Sequence, residues 1–157
     1  MKTAVVFYSL DGNCALVAQE IKAQMNADLI RLYTIDEKKR GTFRKMLWGG
    51  GMVFYHIKPP LKPYSFDASA YDLIILGAPV WAGSPAPPLM TFLSKAGIKN
   101  KKIALFVCHG GGKGKSLVKF KALLKGNEIT AEADFLVPNK GGEEVKKQIA
   151  DWVKSLS

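Results

Sequence analysis

The chain is poor in the residues that build metal sites and disulfide scaffolds. It has two cysteines and two histidines in 157 residues. Cys14 and Cys108 stand far apart, fit no metal-ligand spacing and read as two reduced thiols. Long apolar runs are missing as well: "VVF" and "LIILGAPVWAG" fall far short of the roughly 20 residues a membrane-spanning helix requires. The N-terminal run is brief and meets Asp11 without the small-residue cleavage pattern of a secretory signal. Together these absences lead us to expect a soluble cytoplasmic protein. The third shortage is of acid. Lysine and arginine total 23 against 13 aspartates and glutamates, and between Asp72 and Glu128 there are nine lysines and no acid. A field of one sign concerns partners rather than fold. Nucleic acid, anionic lipid, a phosphorylated ligand and an acidic protein all stay open on charge alone.

What is present is ordinary globular material, 48% apolar and 23% charged, in a chain long enough to bury about 70% of its unfolded surface. "KTAVVFY" (2–8), "YDLIILGA" (71–78) and "KKIALFVC" (101–108) are short apolar runs suited to strands buried on both faces. "ADLIRLYTI" (27–35) is a further strand, and "ITAEADFLV" (129–137) alternates like an edge strand. Helical spacing follows at 13–25, at 85–96 opening on prolines, at 114–125 and at 143–156. The alternation predicts an α/β fold: a parallel five-stranded sheet with helices on both faces, in one domain spanning 1–157. The stretch 36–66 is longer than a minimal crossover. Phe43, Met46, Leu47, Gly50, Val53, Phe54 and Ile57 fit one helical face there, weakened by three glycines and ended by Pro59, Pro60 and Pro63. It reads as a helix covering the sheet followed by an extended return, or as a basic, aromatic surface for a partner.

Three glycine-bearing turns follow strands one, three and four: "SLDGNC" (9–14), "PVWAGS" (79–84) and "HGGGKGK" (109–115). In an open α/β sheet, ligands bind beyond the carboxyl ends of the strands, where the strand order reverses. For the order 2-1-3-4-5 that point lies between strands one and three. The first turn opens a helix, whose N-terminal N–H groups favour a phosphate. Gly12 permits close approach, and Ser9 and Asn13 add side-chain hydrogen bonds. No lysine followed by serine or threonine comes after the glycine, which disfavours nucleotide triphosphate hydrolysis. Trp81 in the second turn offers a flat face for a planar ring. The third turn offers backbone donors with few side chains in the way.

On these residues, and above all on "VVFYSLDGN", "LIILGAPVWAGSPAPPLMTFL" and "FVCHGGGKG", the chain resembles the flavodoxin family over essentially its whole length. "FRKMLWGGG" is similar to a segment in one bacterial subgroup. The resemblance implies a flavodoxin-like three-layer sandwich of order 2-1-3-4-5 with FMN as cofactor. The residues it places against FMN are Ser9, Leu10, Asp11, Gly12, Asn13 and Cys14; Ala78, Pro79, Val80, Trp81, Ala82 and Gly83; and His109, Gly110, Gly111, Gly112, Lys113 and Gly114. Asp11 and Cys14 replace the two threonines usual in the family's phosphate turn. Either Asp11 faces outward and backbone N–H groups bind, or affinity falls. Cys14 at a helix N-terminus has a route to a lowered pKa, which a bound phosphate opposes. Trp81 is implied to stack on one face of the ring, and His109 stands where a second aromatic is common. If Lys113 or Lys115 lies near the ring, a less negative second reduction potential than in acidic relatives is implied.

Three functions follow. The first is an FMN-containing electron carrier whose basic surface meets acidic patches on redox partners. The second is an FMN-dependent NAD(P)H:quinone-type oxidoreductase. The third is a flavin-free basic binding module on the same fold. No constellation of acid and base argues for bond-breaking catalysis, and no stacking platform or motif argues for nucleic acid.

Overall fold

The structure is a computed structural model; it describes residues 1–35, 51, 53 and 56–156. Its strands are β1 (Thr3–Tyr8), β2 (Asp28–Leu32), β3 (Leu73–Trp81), β4 (Ser84–Pro85), β5 (Lys102–His109) and β6 (Glu128–Leu136). Its helices are α1 (Asn13–Met25), α2 (Pro87–Ala96), α3 (Ser116–Ala122) and α4 (Gly142–Lys154). Five strands form one parallel sheet in the order β2-β1-β3-β5-β6. This is the expected order, renumbered by one strand that the sequence reading lacked. β4 is only two residues long and pairs antiparallel with the end of β3, Val80 with Pro85 and Trp81 with Ser84.

The apolar runs are continuous because the central strands are covered twice. Val5 and Phe7, Leu73 and Ile75, and Ala104 and Phe106 enter the core shared with α1 and α4. Their neighbours Val6 and Tyr8, Ile74 and Leu76, and Leu105 and Val107 enter the core shared with α2 and α3. Successive side chains of a strand point to opposite faces, so both must be apolar. Each fully buried large side chain contributes about 1.5–3 kcal/mol by leaving water. At the outer edge, β6 alternates as expected. It carries a bulge opposite Ile103 and Ala104, where the Thr130 hydroxyl donates to the Ile103 carbonyl at 3.2 Å.

Most of the helical face proposed for the 36–66 stretch falls on residues outside those described. Its extended return is described, and it edges the sheet beyond β2. Ile35 N–H donates to the Pro60 carbonyl at 3.1 Å and Lys62 N–H to the Tyr33 carbonyl at 2.8 Å. The Thr91 hydroxyl of α2 donates to the Pro59 carbonyl at 2.9 Å, and Tyr64 and Phe66 set their rings against Phe92. Among the described residues no helix is long and apolar enough to cross a membrane, and no three potential metal ligands cluster.

Candidate functional site

The three turns lie at one edge of the sheet because β1, β3 and β5 run parallel and adjacent. The order reverses between β1 and β3, which places the first two turns on either side of the switch point. The second and third turns also meet. A Cβ on Gly114 would lie 3.5 Å from the Gly83 Cα, and Lys119 Nζ of α3 donates to Ser84 Oγ at 2.7 Å.

In the first turn Gly12 precedes α1 at φ 88° with open space where a side chain would stand. That conformation suits glycine. Ser9 is buried, and its Oγ accepts the Ala15 N–H at 3.1 Å, which leaves the hydroxyl hydrogen to donate. The helix has no side-chain N-cap and no acid in its first turn. Two first-turn groups are thereby accounted for, Ala15 by Ser9 and Leu16 by the Gly12 carbonyl at 3.0 Å. The rest of the terminus keeps its positive end toward any ligand. Asp11 is exposed. Asn13 turns its side chain to the loop after β6, where Oδ1 accepts the Asn139 N–H at 3.0 Å. Cys14 contributes no thiol to the turn. It is buried in the core beside Cys108, and burial, with a hydrogen bond to Cys108, pushes its thiol well up. The lowered pKa that a helix N-terminus offers is overridden by desolvation, and both thiols are free.

The second turn is a two-residue hairpin. Ala82 and Gly83 have φ of 47° and 67°, the positive pair that a type I′ turn requires. An alanine there is strained, so Ala82→Gly is expected to raise stability by about 1 kcal/mol, read as a higher urea midpoint at unchanged slope. Trp81 is half-buried and packs against the core shared with α2 and α3. Its ring stands edge-on to Tyr8, 5.6 Å between centroids at 89°, and Tyr8 is fully buried. Val80 and Pro79 are half-buried beside it, and Ala78 is in the core.

In the third turn Gly110, Gly111, Gly112, Lys113 and Gly114 are all exposed. His109 and Lys113 are drawn together by a residue the sequence reading did not single out. Asp134 of β6 takes His109 Nε2 on one oxygen at 3.0 Å and Lys113 Nζ on the other at 2.6 Å. Burial pushes the Asp134 carboxyl up, but the hydrogen bonds from Lys113 and His109 outweigh it and hold the group below the usual range. Lys113 moves up, by the hydrogen bond and charge of Asp134. The charge that Lys113 was expected to lend a bound ring is therefore offset by Asp134. The depressed carboxyl adds stability above its unfolded value of about 4, and that contribution is lost as pH falls through the lower folded value. Urea midpoints measured from neutral to acid pH should fall less steeply for Asp134→Asn than for the parent.

Arg31 was also missed. Its Nη2 donates to the Ser9 carbonyl at 3.0 Å and its guanidinium lies over the Tyr33 ring at 5.0 Å, which places a cation behind the first turn. The signal was an arginine inside an apolar strand.

The chain matches no protein-family model and no curated protein. Solved structures do resemble it. A Lactobacillus acidophilus flavoprotein crystallised in complex with FMN has TM-score 0.76 at 21% identity, with 96% of this chain and 97% of that one covered. A Bacteroides eggerthii protein has TM-score 0.80 at 20% identity, covering 98% and 96%. The two-electron reduced Megasphaera elsdenii flavodoxin has TM-score 0.63 at 18% identity, covering 98% and 99%. The fold is flavodoxin-like.

Proposed function

We propose that this chain binds FMN at the three turns and carries electrons between larger redox proteins. The observation behind the reading is the convergence, at the switch point of a flavodoxin-like sheet, of a helix N-terminus with no acid in its first turn, an indole braced by Tyr8 and a glycine-rich turn. An FMN complex of a neighbour with the same fold supports it. Ser9 Oγ and the backbone N–H groups of 10–14 would hold the phosphate, with Arg31 behind them. Trp81 would cover one face of the ring, and the N–H groups of 110–114 would meet its polar edge. These residues fit the group: the donors are there, and the position a side chain at Gly12 would take is open. Bound FMN supplies the redox chemistry, and the protein orients it and tunes its surroundings.

The formal charge of +10 fits partners with acidic patches and a salt-sensitive association. The reduced, FMN-loaded protein should pass electrons to an acidic one-electron acceptor protein at a rate that falls as salt is raised, without oxidising NAD(P)H by itself. Rapid NAD(P)H oxidation with no other protein present would overturn the carrier reading in favour of an NAD(P)H:quinone-type oxidoreductase. The family resemblance favours that second reading: the turn after β5 carries His109 and glycines where many flavodoxins carry a second aromatic. The basic-module reading has lost ground. Lys101, Lys113, Lys119 and Lys121, four of the nine lysines between Asp72 and Glu128, are engaged within the fold.

A further inference from the structure

His109 ends β5 with its imidazole held on one edge and unpartnered on the other. Nε2 lies 3.0 Å from Asp134 Oδ2, and Asp134 Oδ1 accepts from Lys113 Nζ at 2.6 Å. The main chain is held as well: the His109 carbonyl accepts the Val137 N–H at 2.9 Å. Val137 is a β-branched residue at φ 37°, a conformation that persists only where its surroundings impose it. The imidazole is 10% exposed, and Nδ1 is buried without a hydrogen-bond partner. An ionised carboxylate only accepts, so Nε2 carries the hydrogen and Nδ1 of the neutral ring presents a lone pair. A buried acceptor left unpaired is costly. A proton, a ligand or a bound water completes it.

We propose that His109 is the proton-holding residue of the cofactor site, taking up a proton at Nδ1 as negative charge builds on the group bound beside it. The proposal rests on the FMN reading above. The step balances simply. An external donor supplies the electron, solvent supplies the proton, an N–H bond forms at Nδ1, and no bond of the protein breaks. Nε2 keeps its hydrogen toward Asp134. Asp134 is a positioning residue that fixes the tautomer and steadies the imidazolium, and Lys113 keeps Asp134 ionised. Among the described residues, Glu132 on β6 acts on Lys113 by its charge and is paired with Lys121 of α3 at 2.9 Å, and Lys115 is exposed. From β3, on the other side of β5, Pro79 and Val80 bring no charge. The device lets a partly buried site accept an electron without accumulating negative charge.

The test is the second reduction potential of the FMN-loaded protein as a function of pH, with the affinity for oxidised FMN measured on every variant. The parent is expected to show a window in which the potential falls by about 59 mV per pH unit, the value for one proton per electron. His109→Gln should lose that window at whatever FMN affinity it retains, and Asp134→Asn should move it to lower pH. Superimposable slopes for the parent and His109→Gln, both with FMN bound, overturn this proposal and leave the functional reading intact. Failure of the parent to bind FMN overturns both. Should His109→Gln not fold, imidazole 15N resonances of the parent decide. The Nε2–H tautomer, with a nitrogen signal that moves on reduction, supports the proposal, and an Nδ1–H tautomer overturns it.

Discussion

Phe106→Ala is expected to remove about 3–5 kcal/mol of stability, a large share of the roughly 5–15 kcal/mol that holds a domain folded. Phe106 is fully buried, with ring centroids 6.4 Å from Phe135 and 6.2 Å from Trp152. It crosses from β5 over Gly77 of the neighbouring strand, in the space a side chain there would need. A Cβ at Gly77 would collide with the Phe106 ring, so the glycine in "LIILGAPVW" is a packing requirement rather than a turn. Gly77→Ala alone should cost about 1–3 kcal/mol by overpacking. In the Phe106→Ala background the same change should cost less, since its methyl then enters a void. Urea denaturation of the four proteins measures the coupling. Additive effects would mean that the two positions do not share one space.

Trp81→Ala is expected to weaken FMN binding by roughly 5- to 150-fold, the range that corresponds to about 1–3 kcal/mol for stacking a ring on an aromatic side chain. The reason lies beneath the indole. Tyr8, at the end of β1, is fully buried and meets Trp81 edge-on, so the indole is braced before any ligand arrives. A pre-set face loses little freedom on binding. Riboflavin shares the ring but not the phosphate, so its affinity should fall by a similar factor and leave the FMN-to-riboflavin ratio unchanged. Trp81→Phe should retain most of the affinity. A change in that ratio would mean that Trp81 supports the first turn and not the ring.

The doubly covered parallel sheet was legible because every central strand carries apolar residues on both faces, while its strand order came from the resemblance to the flavodoxin family. The loops were legible because each follows such a strand. β4 was not: two residues, Ser84 and Pro85, have no periodicity to read, and Pro85 looked like the start of the following helix. The Asp134–His109–Lys113 cluster was invisible for a different reason. Asp134 sits among the alternating residues of an edge strand, where an acid reads as solvent-facing. Only the pairing of Val107 with Asp134 brings it under His109. Cys14 shows the same limit. Its position in the turn suggested a polar contact, but the thiol enters the core, because the first residues of α1 must cover the sheet as well as face the ligand.

Phosphate binding at the first turn and ring stacking at the second can be tested together. Titration of the apoprotein with FMN, followed by quenching of flavin fluorescence and repeated with riboflavin, tests both parts at once. Strong quenching with tight FMN binding and much weaker riboflavin binding is the predicted result. Equal affinity for the two would contradict the phosphate turn, and no binding of either would contradict the site as a whole.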